Sequence, residues 1–146
     1  MDDNALILIV VIAILIIMSA YFSATETAFS SLNKIKLKNL AVNGSKRAES
    51  TLNLAKKFDS LLSTILIGNN IVNIASASIA TIVFTKYYGD AGVTISTIVM
   101  TIVVLIFGEI SPKSLSKESP EKFAMFSTPI LRVLLVMFTP LNFLFG

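Results

Sequence analysis

The 146-residue sequence contains no Cys, no His and no Trp, and only 14% of it is charged. Each absence excludes a chemistry. Without Cys there is no disulfide framework and no thiolate nucleophile. Without His there is no Ser-His or Cys-His triad, and without either there is no ordinary zinc site. A metal bound here must be a hard cation held by oxygen. A soluble domain carries about 25% charged residues, so this chain lacks the polar surface that water requires. With 54% hydrophobic residues and a mean hydropathy of +0.80, it reads as one membrane domain.

The charges are missing in blocks. Ala5 to Thr25, Ser60 to Thr85 and Ala91 to Gly108 are uncharged runs of 21, 26 and 18 residues. At about 1.5 Å per residue each can cross a hydrocarbon core of roughly 30 Å, the last with little to spare. The spans are expected at about 5–30, 60–85 and 91–111. A cleaved signal peptide fits residues 1–25 poorly, because Met1-Asp2-Asp3 lacks a positive n-region. The stretch Phe123 to Gly146 is interrupted by Pro129, Arg132 and Pro140. Because proline removes a backbone donor, this stretch is expected as a broken helix or hairpin in the interface, not a fourth crossing.

Eleven of the 12 basic residues fall on one side of these spans, with Lys86 opposite. The positive-inside rule then places 31–59 and 112–146 in the cytoplasm, the N-terminus outside and the C-terminus inside. Within 32–58, apolar residues at helical spacing are interrupted at Asn43-Gly44-Ser45, which predicts two short amphipathic helices on the inner leaflet. A solvated basic hairpin is the alternative. No internal repeat is evident.

Three polar clusters interrupt the apolar runs. Ser19, Ser23 and Thr27 lie at i, i+4, i+8, with Glu26 immediately before Thr27. Gly68-Asn69-Asn70 and Asn73 form the second, with Asn69 and Asn73 on one face and Asn70 about 100° away. Gly108-Glu109 and Pro112 form the third, where the proline must kink or stop the helix beside a carboxylate. For each cluster the alternative is structural: close helix packing, interhelical amide bonding, or a Glu snorkelling from a helix end. With alternating helix directions the three lie at similar depth, so hydroxyls, an amide oxygen, a carboxylate and a kink carbonyl can converge. Oxygen-only donors with one or two carboxylates suit Mg2+ and, with less charge, Na+. Glu26 sits about 60° off the Ser23 face and is expected to support the site, not to ligate.

Ser19-x-x-x-Ser23-Ala-Thr-Glu-Thr-Ala, Gly68-Asn69-Asn70-x-x-Asn73 and Gly108-Glu109-Ile110-x-Pro112-Lys113 resemble the transmembrane domain of the CNNM/CorC (CorB/CorC, cyclin M-like) magnesium transporters over essentially the whole chain. The resemblance implies an all-α membrane protein of the cell membrane. It implies a homodimer with three crossings per subunit, cytoplasmic amphipathic helices and a juxtamembrane helical belt at 112–146. It implies Mg2+ export coupled to Na+ entry from an inward-facing cavity. Ser19, Ser23, Asn69 and Glu109 would hold the ion, with Glu26, Thr27, Gly68, Asn70, Asn73, Gly108 and Pro112 in support. Four side chains are too few for a dehydrated Mg2+, so backbone carbonyls or waters must complete the shell. Relatives continue into cytoplasmic CBS modules that bind ATP. These are absent here, so the chain is expected to be truncated and to hold no nucleotide. No nucleic-acid partner and no enzyme activity are expected, since no nucleophile is paired with a base. The rival reading is a non-conducting membrane anchor or sensor that regulates divalent-cation homeostasis through cytoplasmic modules.

Overall fold

A computed structural model describes the backbone of residues 3–145 and the side chains of residues 3–137. The described residues are helical, with turns and short links between helices and no strand among them. The order is α1 (Asp3–Ser30), α2 (Lys34–Val42), α3 (Lys46–Ala55), α4 (Phe58–Tyr88), a 3-10 turn (Gly89–Ala91), α5 (Gly92–Val103), a π-helical segment (Val104–Ile110), α6 (Ser111–Glu118) and α7 (Pro120–Phe145).

Two stretches, Asp3–Ser30 and Phe58–Glu118, are long and apolar enough to cross a membrane. Only 17% and 22% of their most apolar parts are buried, whereas a core helix of a soluble protein would be mostly covered. Ile7, Ile14 and Ile17 on α1 and Ile71, Ile74 and Ile82 on α4 are among the large side chains left exposed. Such an outward apolar surface needs lipid around it. Threonines within these stretches satisfy their own hydroxyls. Thr81, Thr97 and Thr101 donate to the carbonyls of Ala77, Val93 and Thr97, one turn back, which lets them face an apolar medium.

The chain divides into two compact units, Met1–Ser23 with Gly68–Pro112, and Ala24–Ile67 with Lys113–Gly146. In the first, the long second stretch is folded back on itself. Gly89 adopts φ +63°, a left-handed conformation that glycine reaches without steric penalty. A Cβ on Gly92 would stand 2.6 Å from the backbone of Phe84 and Thr85. On a straight helix residues 84 and 92 would be about 12 Å apart, so α4 and α5 form an αα-hairpin with its bend at Gly89.

In the second unit, α2 and α3 pack against each other around a bend at Gly44, whose φ is +104°. The break falls where Asn43-Gly44-Ser45 places it. Asn33 and Ser45 cap the two helices, their side chains accepting from the backbone N–H of Lys36 and Ala48, as short polar side chains at this position do. The α3 helix packs on α7 through a buried Thr51–Thr128 hydroxyl pair at 2.7 Å.

The expectation of a broken segment at 123–146 is wrong: α7 runs unbroken from Pro120 to Phe145. Pro120 stands at the first helical position, where a missing N–H costs nothing. Pro129 removes one hydrogen bond from the interior but fixes a helical φ. The flanking turn is anchored, since Thr128 donates to the Ala124 carbonyl at 2.7 Å and is buried with Leu131. Packing outweighs the lost bond. Pro140 lies beyond the residues whose side chains are described.

Candidate functional site

The first unit assembles parts of all three polar clusters. Ser19, on α1, is 1% exposed, and its hydroxyl donates to Asn69 Oδ1 on α4 at 2.8 Å. Asn73, one turn further along α4, donates through Nδ2 to the same oxygen at 3.4 Å. The backbone carbonyl of Asn73 in turn accepts from the buried Ser76 hydroxyl at 3.0 Å. The i, i+4 spacing that puts Asn69 and Asn73 on one face therefore converges two donors on one amide oxygen. Asn70 is exposed, away from that face.

Gly108 closes the cluster from the third apolar segment. A Cβ there would lie 3.2 Å from Ser19 Oγ and 3.7 Å from Ser19 Cβ. The missing side chain is what allows this backbone to reach the serine. Gly68 acts similarly one residue before Asn69, where a Cβ would meet the Phe22 ring at 2.8 Å. Two glycines thus bring α1, α4 and the π-helical segment close enough for one hydroxyl and one amide to meet.

Pro112 does not stop the helix. The chain passes from α5 into a π-helical segment, Val104–Ile110, and on into α6. The Ser111 N–H bonds to the Ile106 carbonyl, five residues back, which marks the wider π register. Pro112 is buried and has no N–H. The carbonyl it would otherwise serve, that of Gly108 in α register or Phe107 in π register, receives no bond from it. Glu109 follows Gly108 immediately and is half-buried.

Ser23 is buried at 2% exposure one turn beyond Ser19 on α1, in the same unit. Glu26, half-buried, and Thr27, buried, belong to the other unit. The observed cluster is therefore Ser19, Asn69, Asn73 and Gly108, with Ser23, Glu109 and Pro112 in the same unit. Among the described residues no group of three or more Asp or Glu gathers, so a cation held here would rely on neutral oxygens and one carboxylate. Sequence reasoning missed Phe22, Ser76 and Gly92. Only Gly92 carried a readable signal, its position three residues after Gly89 in an otherwise apolar stretch.

Long apolar helices left bare on the outside, with polar groups and glycine contacts turned inward, define a helical membrane domain. Residues 10–146 match the family described as the cyclin M transmembrane N-terminal domain, and the chain belongs to that family, CNNM. A UPF0053 protein of Haemophilus influenzae is 46% identical over 94% of this chain and 33% of its own length. The UPF0053 inner membrane protein YfjD of Escherichia coli is 44% identical over 86% of this chain and 29% of its own. A Haemophilus influenzae protein named polyamine export protein is 27% identical over 94% of this chain and 35% of its own. The chain spans about a third of the length of the curated relatives it matches.

Proposed function

We propose that this chain is the ion-translocating domain of a Mg2+ exporter driven by Na+ entry. It would cross the membrane three times, by α1, α4 and α5 with its π-helical continuation, with the N-terminus outside and the basic segments in the cytoplasm. It would work as a homodimer in the cell membrane. Ser19, Ser23, Asn69 and Glu109 would hold the ion in an inward-facing cavity, completed by the carbonyl that Pro112 leaves without its helical donor. Glu26 and Thr27 would support the site. No catalytic chemistry is assigned to it.

The observation that carries this reading is the 2.8 Å separation of Ser19 Oγ and Asn69 Oδ1. Mg2+ demands octahedral oxygens at about 2.0–2.1 Å, so neighbouring ligands stand about 2.8–3.0 Å apart. Two oxygens already at the edge length of that octahedron need little movement to bind. The Ser19 proton would turn away from Asn69 and leave both oxygens facing the cation. Glu109 would supply the negative charge that neutral oxygens lack.

The test is Mg2+ flux from proteoliposomes under an imposed Na+ gradient. Wild-type protein is expected to move Mg2+, and Glu109→Gln is expected to stop it while remaining folded. Folded protein that moves no Mg2+ under any Na+ gradient would overturn the reading.

A second reading is a membrane anchor or sensor acting through cytoplasmic modules. It is favoured by the two hydrogen bonds that Asn69 Oδ1 accepts, which is what interhelical amide bonding without a ligand would look like. A different cargo, an organic polycation, is suggested by the name of the relative called polyamine export protein. The same proteoliposomes loaded with a polyamine separate it from Mg2+.

A further inference from the structure

The second unit contains a cleft that shares no residue with the proposed ion site. Its volume is about 340 Å³ and it is lined by Phe29, Ser30, Leu32, Lys34, Ala55 and Phe58. That volume falls in the range of small-ligand sites, roughly 300–1,000 Å³. The lining comes from the end of α1, the link to α2, the start of α2, the end of α3 and the start of α4. These are the ends of the two longest apolar helices on their basic side, where in a bilayer hydrocarbon would give way to headgroups.

Its chemistry is two-sided. Phe29, Leu32, Ala55 and Phe58 make the walls apolar, while Ser30 and Lys34 are the polar groups. Lys34 is exposed and forms no ion pair among the described residues. Lys56 and Lys57, both exposed, stand between the lining residues Ala55 and Phe58, against a single acid, Asp59. We infer that this cleft seats one acidic phospholipid, with an acyl chain between Phe29 and Phe58 and its phosphate on Lys34 and Ser30. A soluble anion would leave the aromatic walls unused. A zwitterionic lipid would bring its own cation towards three lysines. The inference rests on the family's membrane location and is independent of ion transport.

The experiment is native mass spectrometry of the purified chain in detergent, titrated with phosphatidylglycerol or phosphatidylcholine. One bound phosphatidylglycerol is expected, preferred over phosphatidylcholine by about fivefold or more, the weight of one lysine at an anionic surface. Lys34→Gln should lose that preference and Lys34→Arg should keep it. Lys46→Gln, a lysine outside the cleft on α3, should leave it unchanged. Equal binding of the two lipids, or equal loss in Lys34→Gln and Lys46→Gln, would overturn the site in favour of diffuse attraction. Displacement of the lipid by millimolar inorganic phosphate would also overturn it, because the acyl chain would then contribute nothing. Unchanged helical circular dichroism in each variant excludes misfolding as the cause.

Discussion

Ser19 Oγ lies 3.2 Å from where a Cβ of Gly108 would stand, so a side chain one carbon long is enough to press on the hydroxyl that bonds Asn69. Gly108→Ala should therefore act on the site more than on the fold. The serine must give by a few tenths of an ångström, and overpacking of this kind costs about 1–3 kcal/mol. We expect a folded variant of modestly lowered melting temperature, with the proposed Mg2+ flux reduced at least tenfold. Wild-type flux from Gly108→Ala would show that the Ser19–Asn69 geometry does not matter to transport.

The α4–α5 bend gives a sharper contrast between two glycines. At Gly92 an added Cβ meets backbone atoms of Phe84 and Thr85 at 2.6 Å, whereas at Gly89 it meets nothing within 4 Å. Gly89→Ala pays only for a left-handed φ, about 1–2 kcal/mol. Gly92→Ala must push two backbones apart, which no rotamer change relieves. Thermal unfolding in detergent should rank wild type above Gly89→Ala, and Gly89→Ala well above Gly92→Ala. The reverse order would mean that the hairpin is not closed at Gly92.

Much of this architecture was legible in the sequence because its signals are local. Uncharged runs located α1 and α4 to within a few residues, and Asn43-Gly44-Ser45 marked the bend between α2 and α3. The Ser19 face was readable from its i, i+4 spacing. What was not legible depends on packing across elements. Pro129 reads as a break, yet contacts with α3 keep α7 continuous. Pro112 reads as a kink or stop, but a π-register bond from Ser111 to Ile106 carries the helix on into α6. The partner of Asn69 among the many hydroxyls nearby is a tertiary fact, as is the fit of Gly68 against Phe22.

That fit makes its own prediction. A Cβ on Gly68 would lie 2.8 Å from Phe22 Cζ and 3.2 Å from two further ring atoms. Phe22 is itself buried at 5% exposure, so the ring has little room to swing. Gly68→Ala should destabilise by about 1–3 kcal/mol. Adding Phe22→Leu should recover part of that loss, because residues in contact couple by about 0.5–3 kcal/mol. Strict additivity of the two changes in a double-mutant cycle would show that the ring is not what Gly68 accommodates.

The Thr51–Thr128 pair holds α3 to α7 with fewer protons than contacts. Thr51 Oγ1 reaches the Arg47 carbonyl at 2.8 Å, Thr128 Oγ1 reaches the Ala124 carbonyl at 2.7 Å, and the two hydroxyls are 2.7 Å apart. Two hydroxyl protons cannot fill three bonds, so one hydroxyl bonds its partner and releases its own carbonyl. Thr51→Val or Thr128→Val should each cost about 1 kcal/mol, the net worth of a buried hydrogen bond. The double variant should cost less than the sum, since the second change removes an already orphaned group. Two fully additive losses would mean that the hydroxyls do not bond each other.

Asn69→Asp separates a ligand from interhelical amide bonding, because the two roles respond oppositely. Asn69 Oδ1 is an acceptor for both Ser19 and Asn73, and a carboxylate oxygen accepts the same two bonds. In a packing role the new aspartate would at best match the asparagine and would give the protein no new response to Mg2+. As a ligand it would add a second negative charge beside Glu109, and cation affinity rises with ligand charge count. The midpoint for stabilisation by Mg2+ should then fall at least tenfold in concentration. The proposed export should slow as well, because an ion held more tightly leaves more slowly. A midpoint equal to that of wild type would remove Asn69 from the set of ligands.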